Sequence, residues 1–119
     1  MADILKPLND YATRNGEVVD CWEQLICPCG DSLFQLYSDD NEGGAYCVCP
    51  RCRTEHDIEN SRNYVVSLVR NVCSCNFELL EIYVGKSVYP DTTEPKWVYV
   101  GGACPRCGVI GVYVDWHER

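Results

Sequence analysis

The chain has 119 residues, ten Lys and Arg against eighteen Asp and Glu, and a formal net charge of −8. That length suits one ordinary domain or two very small ones, and no stretch is apolar for long enough to span a membrane. The acid excess argues against sequence-independent nucleic-acid binding, which rests on phosphate neutralisation by Lys and Arg, and favours solubility or attraction to a basic partner.

The N-terminal Met1-Ala2-Asp3-Ile4-Leu5-Lys6-Pro7 has neither the apolar run nor the small-residue cleavage site of a signal peptide, so a cytoplasmic, reducing location is expected. Residues 7–15 predict a short helix, with Pro7 in its first turn, Leu8, Tyr11 and Ala12 on one face, and Asn15-Gly16 as its stop. Residues 17–26 lead into a first cysteine pair, Cys27-Pro28-Cys29. Leu33 to Tyr37 and Ala45 to Val48 then flank a polar, glycine-ended turn, which is a hairpin signal. Cys49-Pro50-Arg51-Cys52 follows, and 59–63 read as a junction.

The pattern then repeats. The lead-in from Tyr64 to Val72 fits helical spacing, yet its β-branched residues favour a strand. Cys73-Ser74-Cys75 comes next, then Phe77 to Val84 and Lys96 to Val100 flanking a loop from Gly85 to Pro95. After Cys104-Pro105-Arg106-Cys107-Gly108, residues 109–116 predict a third strand with Ile110, Val112, Val114 and Trp116 on one face.

Two closely spaced thiol pairs per unit, separated by a hairpin, are the arrangement that a tetrahedral Zn²⁺ site needs. Cys27, Cys29, Cys49 and Cys52 are the candidate ligands of one ion, and Cys73, Cys75, Cys104 and Cys107 those of a second. Two zinc ions per chain are therefore expected, and they would staple units too small to hold together by apolar burial alone. Eight thiolates with two divalent ions would take the net charge to about −12. Aligning the two Cys-Pro-Arg-Cys copies places Gly102 opposite Cys47 and Ser67 opposite Cys21. Those two cysteines are accordingly expected to be small buried or strand residues, outside the ligand sets. His56 and His117 are spare, since each unit already has four sulfurs. Pairing could be sequential or cross-braced.

The Cys-Pro-Arg-Cys turns resemble the knuckles of zinc ribbons and rubredoxin-like domains, over roughly 27–57 and 73–116. The resemblance implies a small, metal-bound, mainly β chain of two tandem zinc ribbons, each a three-stranded antiparallel sheet. Residues 1–61 would hold the N-terminal helix and first ribbon, and 62–119 the second. The first knuckles depart from the pattern, with one residue between the cysteines where these families have two. That spacing also argues against an iron-bearing, rubredoxin-like electron carrier, which stands as an alternative.

No nucleophile–base pattern or open metal position is visible, so a non-enzymatic protein is expected, acting as an acidic module that binds another, basic protein as an adaptor, antitoxin-like or immunity-like binder. Tyr89 in the inserted loop is the expected anchor, and Asp91 and Glu94 of that loop, with Asp39, Asp40 and Glu42 of the first unit, the steering charges. A nucleic-acid-binding ribbon is the alternative from another class, with Arg51, Arg53, Arg62 and Arg106 near the knuckles and strand tyrosines as stacking faces.

Overall fold

In the computed structural model, which describes residues 5–19 and 22–118, a helix α1 spans Lys6–Arg14 with a proline in its first turn. Its apolar face buries Leu8 and Ala12. The rest is mainly β, with strands β1 (Trp22–Gln24), β2 (Gln35–Asp39), β3 (Gly44–Val48), β4 (Glu55–Asp57), β5 (Val69–Asn71), β6 (Glu81–Val88), β7 (Pro95–Ala103) and β8 (Ile110–His117). A 3-10 turn at Arg62–Tyr64 precedes β5.

The strands form two antiparallel sheets, in orders β1-β6-β7-β8 and β4-β3-β2-β5. Each sheet has four strands where three were expected, because the lead-in strands cross over. Trp22, Glu23 and Gln24 of β1 pair with Gly85, Val84 and Tyr83 in the second half, while β5 places Val69, Arg70 and Asn71 opposite Ser38, Tyr37 and Leu36 in the first. The exchange covers what would otherwise be an open edge on β6 and on β2, and an open edge is a template for unwanted pairing. A bridge between Phe34 and Leu80, with reciprocal N–H to O contacts of 2.9 Å, joins the two sheets.

One core results. Phe34, Leu36, Cys47 and Ile58 of the first half lie in the same buried cluster as Leu80, Ile82, Val98, Val100, Val114 and Trp116 of the second. The junction at 59–63 is tied down, since Ser61, 1% exposed, donates to the Ile58 and Ala45 carbonyls and accepts the Ala45 N–H.

Three expectations change in detail. The lead-in 64–72 is a strand only at Val69–Asn71, and Val66, Leu68, Val69 and Val72 face solvent. The second hairpin is longer than expected, because β6 runs to Val88 and β7 starts at Pro95, leaving a tight turn of 89–94. In β8 the four apolar residues do not share one face. The register skips Tyr113, with Gly101 opposite Val112 but Val100 opposite Val114, and an extra residue inverts the alternation. Val114 and Trp116 therefore enter the main core, while Ile110 and Val112 join a second cluster with Leu8, Tyr83 and Ala103. Gly101 makes this possible, because a Cβ there would stand 2.6 Å from the Leu8 side chain.

Candidate metal centres

Each tetrad is built by two backbone turns of matching design. In the first turns, the Cys27 and Cys73 carbonyls accept the N–H of Gly30 and Asn76, both at 2.7 Å, and their own N–H groups reach the carbonyls of Asp31 and Phe77. Gly30 and Asn76 hold positive φ, 97° and 72°. In the second turns, Cys49 and Cys104 accept from Arg53 and Gly108 and donate to Thr54 and Val109. Arg53 and Gly108 again hold positive φ, 65° and 82°. Glycine adopts this region freely, while Asn and especially Arg take it at a cost. The two copies thus share one backbone path where their sequences differ.

These turns bring together Cys27, Cys29, Cys49 and Cys52 as one group and Cys73, Cys75, Cys104 and Cys107 as another, with all ligand atoms of a group within 4.8 Å of one another. The pairing is therefore sequential along the chain, and the single residue in each first turn still delivers both sulfurs. Cys27 and Cys52 Sγ lie 3.4 Å apart and Cys29 and Cys49 Sγ 3.6 Å. The matching second-half contacts, Cys73 to Cys107 and Cys75 to Cys104, are 3.3 and 3.6 Å. A tetrahedral ion with Zn–S bonds of about 2.3 Å needs sulfurs roughly 3.8 Å apart, so small outward movements would fit one. Each group can hold one metal ion, two per chain, and four protein sulfurs leave no open coordination position.

Within each tetrad the first and fourth sulfurs, 3.4 and 3.3 Å apart, lie close enough to share a proton. In the first, the Thr54 hydroxyl, 3.1 Å from Cys52 Sγ, and then the Thr54 N–H and the Cys27 thiol hold Cys52 down to about 6. Cys27 is drawn down by the Cys29 N–H, but burial and the neighbouring thiols outweigh this and push it up to about 12. In the second tetrad Val109 stands where Thr54 does, so no hydroxyl favours the fourth sulfur. The Cys75 N–H and then Cys107 hold Cys73 down to about 6. Cys107 is drawn down by the Val109 N–H, but Cys73, burial and the other thiols together outweigh this and push it up to about 12. A bound cation would displace the remaining protons, because only thiolates ligate.

The other sequence candidates lie elsewhere. Cys47 is fully buried on β3 outside the tetrad, with burial and then Cys27 and Cys49 pushing its thiol up to about 12. Cys21 lies outside the described residues. The His56 ring meets Phe34 edge-on at 5.4 Å, and that of His117 meets Trp97 at 5.3 Å. Asp39 was expected at the surface but is 3% exposed. Its Oδ1 accepts the N–H of Asn41 and Glu42, and its Oδ2 those of Val66 and Ser67, so it clamps the hairpin turn to the crossing lead-in. Neither that role nor that of Thr54 was expected from the sequence. An acid opening a polar turn two residues before Asn41 is a recognisable local signal, but its bonds to residues far along the chain are not.

Turn residues Tyr89 and Thr92 are joined by Thr92 N–H and Oγ1 bonds to the Tyr89 carbonyl, 3.1 and 2.8 Å, and Tyr89 is 37% exposed. On the opposite sheet Tyr37 and Tyr46 stack at 5.1 Å, and the Arg62 guanidinium lies 3.9 Å from the centre of the Tyr46 ring.

No protein-family model matches the chain, and no solved structure does so. Among curated proteins, DNA topoisomerase 3-beta-1 of Homo sapiens is similar to it, 24% identical in an alignment 111 residues long that covers 84% of this chain and 12% of that protein. The chain thus corresponds to a small part of that relative's length.

Proposed function

We propose that this chain is a non-enzymatic protein in which two structural zinc ions set a rigid acidic body that binds a basic protein partner. The observation that carries the reading is the donor set: the four cysteine sulfurs gathered in each group are the full ligand complement of a tetrahedral zinc ion and would leave no position for substrate or water. The net charge of −8 adds the choice of partner, because long-range attraction raises encounter rates with a cationic surface and repels phosphate. Native mass spectrometry should show two metals per chain, and the metallated protein used as bait against purified basic and acidic proteins should retain basic ones in a salt-sensitive way. A metal-free chain whose mass is lowered by disulfide hydrogens would refute the reading.

The likeness to a DNA topoisomerase favours a second reading, nucleic-acid binding. The tyrosine pair of β2 and β3, with Arg62 on one ring and Arg70 opposite Tyr37, would be its stacking face. Both arginines are already engaged, Arg62 with Glu55 at 3.2 Å and Arg70 with Glu78 at 3.3 Å, which weakens it. A low-salt mobility-shift assay with random single strands and duplexes separates the readings. Retention at low salt, with release as salt rises, would favour nucleic acid.

A further inference from the structure

Where the main core opens to solvent between the two sheets lies a cleft of about 430 Å³, within the range of sites that enclose a ligand group. One wall comes from the second-half sheet: Glu23 on β1, and Val84, Lys86 and Val88 on β6. Residues two apart on a strand share a face, and Val84 is the residue paired with Glu23, so these side chains form one surface. Asp57, Ile58 and Glu59 of the first half form the facing wall, and Thr92 of the inserted turn stands at one end.

The chemistry of this cleft has two parts. Its floor is apolar, with Ile58 and Val84 belonging to the main core, Leu25 packed against that core, and Val88 39% exposed. Its rim carries three carboxylates, Glu23, Asp57 and Glu59, against one ammonium, Lys86, which is held 3.2 Å from Glu59. Lys86 is therefore neutralised within the rim, and Glu23 and Asp57 set its sign. An apolar floor inside an acidic rim is complementary to an aliphatic side chain flanked by Lys or Arg, with the cations reaching the rim as the aliphatic group enters.

We propose that this cleft is the docking site for a short extended segment of a basic protein, presenting one aliphatic side chain between cationic residues. The proposal rests on the acidic-binder reading above and gives it a place and a recognition pattern.

A displayed library of random octapeptides, selected on the zinc-loaded full chain, tests it. The expected winners carry an aliphatic residue next to Lys or Arg, and their binding should shift backbone amide resonances within 23–25, 57–59, 84–88 and 92–93. Two exposed-site variants then separate the forces, after mass spectrometry and thermal melting show that each keeps two metals and the parent fold. Glu23→Lys should weaken the winners about tenfold by reversing a rim charge. Val88→Asp adds a negative charge but takes away apolar wall, so it too should weaken them about tenfold, whereas purely Coulombic attraction would make it bind more tightly. Cationic winners that lack an aliphatic residue, gain from Val88→Asp, or shift amides around Tyr37 and Arg70 would overturn the cleft and leave the acidic-binder reading standing. Acidic winners, or no enrichment from a library that yields cationic binders on an acidic control protein, would overturn both.

Discussion

Replacing Cys107 by serine should show that the two halves are one cooperative unit. The change leaves the second tetrad with three sulfurs. Structural zinc contributes an apparent 10–16 kcal/mol to small sites, so one ligand in four is worth about 2.5–4 kcal/mol. The second half cannot come apart alone without stripping the first. Phe34, 0% exposed, pairs with Leu80, and Ile58, 2% exposed, lines the same cleft as Val84. Uncovering these two side chains costs about 1.5–3 kcal/mol each, or roughly 3–6 kcal/mol together, and β2 would also lose its three residue pairs with β5. That is comparable with the whole net stability of a domain, about 5–15 kcal/mol. The expected result is a single urea transition, moved to lower urea by the variant. Amide signals of Leu36 and Ala45 in the first half should vanish together with those of Val98 and Val100 in the second. A variant that keeps one zinc and a native first-half spectrum while the second half is unfolded would refute this, and would mean that the exchanged strands carry little energy.

Four further expectations can be checked on the same protein. Leu8→Ala should cost about 2–5 kcal/mol in chemical denaturation, because Leu8 is fully buried against Gly101; a loss under 1 kcal/mol would mean that α1 is dispensable. Asp39→Asn should destabilise at neutral pH, since an amide sets an NH₂ group against N–H donors that the carboxylate accepts. The bonds from Ser67, Glu42, Val66 and Asn41 hold the Asp39 carboxyl below its ordinary range, so its stabilisation is fully present above that range and is lost as pH falls from there through the lowered folded value. The gap in urea midpoint between parent and variant should therefore stay level from pH 7 to 5 in excess zinc and narrow below about pH 4; a gap that widens toward acid contradicts the assignment. Arg53→Gly should stabilise by up to about 1 kcal/mol with metal content unchanged, as Arg53 sits at φ 65° where the second copy has Gly108. Cys47→Ser should leave two metals in native mass spectrometry, and loss of one would place Cys47 among the ligands.

How much could be read without the fold is clearest at the knuckles. Cys-Pro-Arg-Cys and Cys-x-Cys are local, and the turn that aims two sulfurs at one point is closed by backbone bonds within five residues, such as Cys104 N–H to the Val109 carbonyl. The grouping of the cysteines, the helix at Lys6–Arg14 and the first hairpin were legible for that reason. Whether the cysteine pairs were sequential or cross-braced was not, since both use the same turns.

The amino-acid order by itself therefore determined the donor chemistry, the repeat and the strand-rich character of the chain, all of which follow from residue type and short spacing. Only the tertiary structure decided which strand lies beside which. Nothing in residues 22–24 or 69–71 marks them for the other half's sheet; the exchange comes from edge groups needing partners and from two small cores gaining by merging. The same holds for Tyr113, where one skipped residue turns Ile110 and Val112 toward α1 and Val114 and Trp116 inward. It holds also for Asp39, whose bonds to Val66 and Ser67 span 27 and 28 residues. Contacts of that range are settled by the competition for burial and hydrogen bonds across the whole chain, and the local sequence carries no mark of them.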